Sequence, residues 1–194
     1  RGRLLDALER TNESPLGAGA VAGSGFALDR TATARELGFE AAMRNSIDAT
    51  PSRDFLMETA SALAILCVHL SRVGEEIVIW SSQEFGFIRL SDRFSTSSSM
   101  MPQKKKPGVA ELVRGKSASA IGNLTSLLVL EKSLCFGYGR DLQEDKRPIF
   151  DAFESALLRL RALTGALRSA TFHADRMAQG LERGHLCATD LPDF

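Results

Sequence analysis

A short segment of the chain combines hydroxyl and ammonium side chains in a pattern that suits no buried helix or strand. The segment spans residues 95–107 and reads S-T-S-S-S-M-M-P-Q-K-K-K-P. Pro102 and Pro107 bracket the lysines and interrupt regular structure. Because hydroxyls can carry protons and lysines can hold carboxylates, the segment predicts a reactive loop. Its plain alternative is a solvated basic linker.

The order of residues in this loop resembles the signature of the fumarase/aspartase/argininosuccinate lyase superfamily. Its S-S-M-M-P-Q-K-K is most similar to the argininosuccinate lyase form. Further segments resemble motifs of that family in the same order: P-L-G-A-G-A-V-A-G at 15–23 with Asp29-Arg30, N-S-I-D-A-T at 45–50 with R-D-F at 53–55, Tyr138 with D-L-Q-E-D-K at 141–146, and A-T-D-L at 188–191. Since these motifs span nearly the whole chain, it is identified as a member of the argininosuccinate lyase family.

Composition agrees with this identification without requiring it. The 194 residues carry 24 basic and 24 acidic side chains, so no net charge favours nucleic acid or an anionic membrane as a partner. Cys67, Cys135 and Cys187 lie far apart without metal-ligand spacing, which predicts buried thiols in a reducing compartment. The chain shows no apolar run long enough for a signal peptide or a membrane span. These features predict a cytoplasmic protein.

The apolar pattern predicts an all-α fold in which long antiparallel helices form part of a central bundle. Helices are predicted at 52–82 with Ser52 as N-cap, at 107–130 with Pro107 in the first helical position, at 147–170 and at 174–181. The first carries a row of large residues every seven positions beside a row of small ones, which predicts close helix packing: Leu56, Leu63, Leu70 and Ile77 beside Ala60, Cys67 and Gly74. Residues 17–25 are predicted to form a glycine-rich loop without a nucleotide, and no strand is predicted.

The resemblance implies how the chain is organised and assembled. Residues 1–170 would form the central helical-bundle domain, and 171–194 the start of a C-terminal helical domain. Family members are homotetramers whose active sites combine segments of three subunits, and we expect the same here. A further apolar stripe supports this expectation, because a three-helix monomer could not bury it: Leu66, Val73 and Trp80.

The resemblance also implies a reaction and roles for particular residues. Family members cleave argininosuccinate to arginine and fumarate by β-elimination, in arginine biosynthesis, and no metal or cofactor is implied. Ser98 matches the proposed base, Lys104 the lysine that contacts a substrate carboxylate, and Glu111 the residue that orients a histidine of another subunit. The remaining matches imply substrate binding: Ser99, Met101, Gln103, Tyr138, Gln143 and Lys146. Taken singly, each has a plain structural interpretation, such as a loop cap or a helix-dipole carboxylate at Glu111.

Departures from the family pattern leave two alternatives open. Ser97 replaces a glycine, Lys106 an asparagine, Gly108 an aspartate and Gly139 an asparagine. The changes at Ser97, Lys106 and Gly108 favour a non-catalytic structural relative, and another fumarate-forming lyase of the superfamily is the third interpretation. The family's S-x-R-N and T-H-x-Q loops are not found in the 194 residues. We therefore expect a fragment of the family's chain that is inactive when isolated.

Overall fold

The computed structural model describes residues 1–97, 100 and 105–183, and α-helices make up most of this part. The helices are α1 (Gly2–Thr11), α2 (Arg30–Glu36), α3 (Ser46–Ala49), α4 (Asp54–Trp80), α5 (Gly108–Glu131), α6 (Lys146–Arg168) and α7 (Ala174–Arg183). Two short 3₁₀ turns occupy Asp92–Phe94 and Arg140–Asp145. The predicted all-α fold class is confirmed. Among the described helices, none combines the length and apolarity needed to cross a membrane.

Extended backbone in the described residues is limited to three ladders with two residues in each strand. The strands are β1 (Glu13–Ser14) parallel to β2 (Ala41–Ala42), β3 (Ile88–Arg89) antiparallel to β6 (Thr171–Phe172), and β4 (Thr96–Ser97) antiparallel to β5 (Lys105–Lys106). The sequence predicted none of them, because two residues are too few to show an alternating pattern. The β4–β5 ladder closes the base of the loop predicted at 95–106. Most of that loop lies outside the described residues.

The long helices begin close to their predicted starts, with instructive differences of one or two residues. Ser52 was predicted as the N-cap, but α4 begins at Asp54, whose N–H makes a 3.5 Å hydrogen bond to the Ser52 hydroxyl. Pro107 was predicted inside α5 and instead precedes it, with its carbonyl accepting the N–H of Glu111 at 3.1 Å. The reason is the neighbouring β5 strand, which holds the backbone extended up to Lys106.

Three short helices near the amino terminus, α1 to α3, were not predicted. The Asp29 carboxylate caps α2 by accepting the Ala32 N–H at 2.9 Å, and Asn45 caps α3 through the Ile47 N–H at 3.0 Å. The predicted glycine-rich loop is present between β1 and α2. Within it, Gly19 has φ +62°, and a side chain there would collide with the Gly23 carbonyl, so only glycine fits.

The chain divides into two compact units, each with its own core. The first unit comprises residues 1–66 and 118–156, and the second comprises 67–117 and the residues from 157 onward. The core of the first unit consists of buried residues from three helices, α4, α5 and α6: Ala60, Leu127 and Ile149, with Leu56, Met57 and Leu124 packed against them. The burial of Ala60 and Leu63 confirms part of the row predicted along α4.

The second unit contains the remaining parts of the same three helices. Its core comprises Ile77, Ile88, Leu90, Ala110, Val113, Leu163 and Ala166. Gly74 approaches α5 so closely that an added Cβ would lie 2.8 Å from the carbonyl oxygen of Ala110. This contact confirms the close packing predicted from the small residues of α4. Cys67 is buried as predicted, but Cys135 is exposed because it lies in the loop after α5 rather than on a packed helix.

Candidate functional site

The structure brings three of the predicted substrate-binding residues together in the first unit. Tyr138, Gln143 and Lys146 line one cavity of about 530 Å³, with Arg53 and Leu142 completing its wall. The Gln143 side-chain amide donates a hydrogen bond to the Tyr138 hydroxyl at 3.2 Å. The cavity therefore presents a phenol, an amide and an ammonium group to one volume. Such groups suit a polar ligand that carries carboxylates.

The 3₁₀ turn before α6 creates this arrangement. Leu142 is 1% exposed and anchors the turn in the core, while its N–H donates to the Gly139 carbonyl at 3.2 Å. Because the turn fixes Leu142 inward, its neighbour Gln143 is directed to the surface. Lys146 follows as the first residue of α6. The apolar anchor thus positions the polar side chains around it.

A buried carboxylate, Asp145, connects the cavity to the start of α4. Asp145 is 3% exposed, and its two oxygens have different partners. Oδ2 accepts a hydrogen bond from Arg53 Nε at 2.6 Å, and Oδ1 accepts one from Lys146 Nζ at 2.9 Å. Of the two cations that Asp145 binds, Lys146 is the more exposed, with 61% of its side chain accessible. Its ammonium group can therefore also meet an anionic group of a ligand in the cavity.

Arg53 is held rigidly by its own backbone environment. Its Nη1 donates to the carbonyl oxygens of Thr50, Pro51 and Ser52 at 3.2, 3.2 and 2.9 Å. The guanidinium therefore fixes the turn before α4 as well as the Asp145 carboxylate. The sequence marked Arg53 and Asp145 only as members of two motifs. Nothing in their spacing indicated that the two side chains meet.

A second acidic residue near this cluster, Glu131, lies in surroundings that disfavour its ionised form. Burial raises the pKa of the Glu131 carboxyl, with nearby Asp54 and Asp145 adding to the rise and Arg53 opposing it. Among the described residues, its Oε2 atom is buried without a hydrogen-bond partner. An acid whose pKa is raised by folding is favoured when protonated. The free energy of unfolding therefore falls as pH rises from the ordinary pKa of a glutamate through the raised pKa of Glu131, because folding then opposes loss of the proton.

Glu131→Gln is accordingly expected to stabilise the chain at pH 7 and to have little effect at about pH 3, where the carboxyl is largely protonated in both the folded and the unfolded state. Urea unfolding at the two pH values measures the difference. Exposed Glu144→Gln provides a control that should show no such dependence. If Glu131→Gln changed the free energy of unfolding by the same amount at both pH values, this interpretation would be wrong.

The other predicted residues fall elsewhere or outside the described part. Glu111 lies in the first turn of α5, exposed, as a member of the second unit. The predicted loop residues fall outside the described residues, so their roles stay predictions: Ser98, Ser99, Met101, Gln103 and Lys104. At the loop base, a Cβ on Gly108 would lie 2.6 Å from Thr96 Oγ1. The aspartate of the family pattern could not enter here unless Thr96 moved.

The described residues contain no group of three or more histidine, cysteine, aspartate or glutamate side chains placed to hold a metal ion. The Tyr138 cavity presents phenol, amide and ammonium groups. Those groups can bind and orient a substrate.

Comparisons with known proteins show which proteins this chain is similar to. A family model described as Lyase matches residues 1–122. The chain is 52% identical over 192 residues to argininosuccinate lyase 1 of Mesorhizobium japonicum, a match that covers 99% of the chain and 41% of that relative. The chain thus spans less than half the length of this curated relative.

Solved structures show the same fold. A variant of EDDS lyase with bound fumarate is 34% identical with a TM-score of 0.82, covering 92% of this chain and 35% of that one. Class II fumarase from Schistosoma mansoni has a TM-score of 0.80 at 14% identity, covering 92% of this chain and 42% of the fumarase, and shows the fold alone. Because the family model matches well over half of the residues, the chain belongs to the lyase family.

Proposed function

We propose that this chain is part of an argininosuccinate lyase, which cleaves argininosuccinate to arginine and fumarate by β-elimination. The observation that carries the proposal is the cavity formed by Tyr138, Gln143 and Lys146, since the sequence assigned all three to argininosuccinate binding. The Mesorhizobium japonicum relative, which bears this enzyme name, supports the same reaction.

In the proposed mechanism, Ser98 removes a proton from the carbon beta to the departing nitrogen. The electron pair moves onto the neighbouring carboxylate, which Lys104 stabilises, and the carbon–nitrogen bond then breaks to leave fumarate. A histidine of another subunit acts as the acid that protonates the departing guanidino nitrogen, and Glu111 orients this histidine. A serine hydroxyl is a weak base, so nearby cations and backbone donors must favour its alkoxide. Ser99, Met101 and Gln103 would contact the substrate from the same loop.

We further propose that the protein works as a cytoplasmic homotetramer with active sites shared between subunits. Exposed apolar side chains on the long helices support assembly, because a monomer would leave them in water. The clearest examples are Val73 on α4, Leu128 and Val129 on α5, and Phe150 and Leu158 on α6. The domain boundary near residue 170 also remains a proposal, supported by the end of α6 at Arg168.

The reaction can be tested in a chimera, in which this chain replaces the matching 41% of the Mesorhizobium japonicum relative. Fumarate formation, followed by ultraviolet absorbance, should be fastest with argininosuccinate as substrate. Turnover of malate or of EDDS instead would favour another lyase of the superfamily. A folded chimera inactive on all three would favour the non-catalytic relative, which the replacements at Ser97, Lys106 and Gly108 suggested.

Within this chimera, Lys146→Met is expected to raise KM for argininosuccinate roughly tenfold or more, because one charge-assisted contact to the substrate is lost. Lys132→Met is a matched control, since Lys132 is exposed in the same unit and contacts only neighbouring Ser133 among the described residues. Equal KM values for the two variants would remove Lys146 from the proposed substrate site.

A further inference from the structure

A second polar cavity, in the second unit, is lined by an unusual number of cations. Its volume is about 470 Å³, and five basic side chains contribute to its wall: Arg89, Lys105, Lys106, His173 and Arg176. The other lining residues are uncharged: Ser81, Gly86, Ile88, Leu90, Ser95 and Pro107. Among the described residues, no carboxylate lines this cavity. The sequence motifs assigned none of these basic residues to a site, although Lys106 replaces an asparagine of the family's loop that is expected to contact the substrate.

Two short ladders and one loop contact bring these side chains together. β3 places Arg89 opposite Thr171 of β6, and the His173 N–H donates to the Phe87 carbonyl at 2.9 Å. β5, which pairs with β4, carries Lys105 and Lys106 to the same cavity. The cations therefore come from segments far apart in sequence that meet around one volume.

Most of this charge has no acidic partner. Lys105 forms an ion pair with Asp92, and that hydrogen bond, aided by the charges of Lys105 and Arg89, lowers the pKa of the Asp92 carboxyl. In the part of the chain that the structure describes, Arg89, Lys106 and Arg176 form no ion pair. Of the four arginine and lysine side chains in the wall, only Lys105 thus has a carboxylate partner among the described residues, which leaves an excess positive charge.

One departure from the family pattern, Lys106, lies in this wall, and a second, Gly108, directly follows the lining residue Pro107. Lys106 stands where the pattern has a neutral asparagine, and Gly108 stands where it has an aspartate. Both changes make this part of the chain more positive. Because Gly108 packs against the Thr96 side chain, a carboxylate could not be restored there unless that side chain moved.

We propose that this cavity binds a small dianion, such as a dicarboxylate or inorganic phosphate. Its volume falls within the range of small-ligand pockets, and paired arginine and lysine groups are the usual recognition elements for such oxyanions. The cavity shares no lining residue with the Tyr138 cavity, and its wall includes the base of the loop that carries Ser98 and Lys104.

Titration of the chain with phosphate, fumarate or acetate at constant ionic strength tests the proposal. Trp80 is the only tryptophan and immediately precedes Ser81 in the cavity wall, so its fluorescence can report binding. We expect phosphate or fumarate, but not acetate, to saturate the signal and to raise the thermal midpoint. Binding of only one dianion would identify whether the site prefers a phosphate or a dicarboxylate.

Lys106→Asn and Arg176→Ala should each weaken dianion binding roughly fivefold to tenfold, because each removes one charge-assisted contact. Arg161→Ala, an exposed position of the same unit outside the cavity, should leave the affinity unchanged. The proposal would be overturned if acetate bound as well as phosphate or fumarate does. It would also be overturned if a folded Lys106→Asn variant bound the dianions with unaltered affinity.

Discussion

Replacing Arg53 by alanine is expected to destabilise the chain by about 3–5 kcal/mol, because removing one partner of a buried ion pair leaves the other charge poorly compensated. Asp145 retains only 5% side-chain exposure, and Arg53 retains 19%. The remaining partner, Lys146, is 61% exposed and cannot replace the contact with the guanidinium. The three carbonyl groups that Arg53 caps would also lose a donor.

Urea unfolding of Arg53→Ala measures this effect, and Arg10→Ala serves as the control. Arg10 also pairs with a carboxylate of the first unit, Glu58, but that pair lies in solvent. Its loss should therefore change the free energy of unfolding far less. If the two variants unfolded at the same urea concentration, the buried pair would have no special role in the first unit.

Much of the helical architecture could be predicted because its signals are local. Seven-residue apolar spacing in α4 and the small residues beside it predicted the packed face, and Gly74 and Cys67 lie where that spacing required. Helix starts were less predictable. Ser52 and Pro107 both favoured earlier starts, but Arg53 and the β5 strand hold the backbone at those points.

Part of the candidate site could likewise be predicted from the sequence, and part of it could not. The resemblance implied that Tyr138, Gln143 and Lys146 bind the substrate, which stays a prediction, and the structure places the three side chains around one cavity. The contact between Arg53 and Asp145 could not be predicted, because the two residues are 92 positions apart and their meeting depends on how the helices pack. The cationic cavity was hidden for the same reason, since its walls come from two ladders of strands too short to recognise.

Ser98→Ala in the chimera is expected to lower kcat about a hundred- to ten-thousand-fold, the range that general acid–base help supplies. Alanine removes the hydroxyl that would take the substrate proton and leaves the proposed binding cavity unaltered. KM for argininosuccinate should therefore change little. Ser117→Ala is a suitable control, because Ser117 is a hydroxyl on α5 that bonds only to the Arg114 carbonyl among the described residues.

The most direct test of the central claim compares fumarate formation from argininosuccinate by the chimera with Ser98 and by its Ser98→Ala form. We predict measurable turnover with serine and a loss of at least about a hundredfold with alanine, while both proteins bind argininosuccinate equally well. Equal rates in the two forms would contradict the assignment of Ser98 as the base. A folded, substrate-binding chimera that releases no fumarate even with Ser98 would contradict the proposal that this chain serves an argininosuccinate lyase.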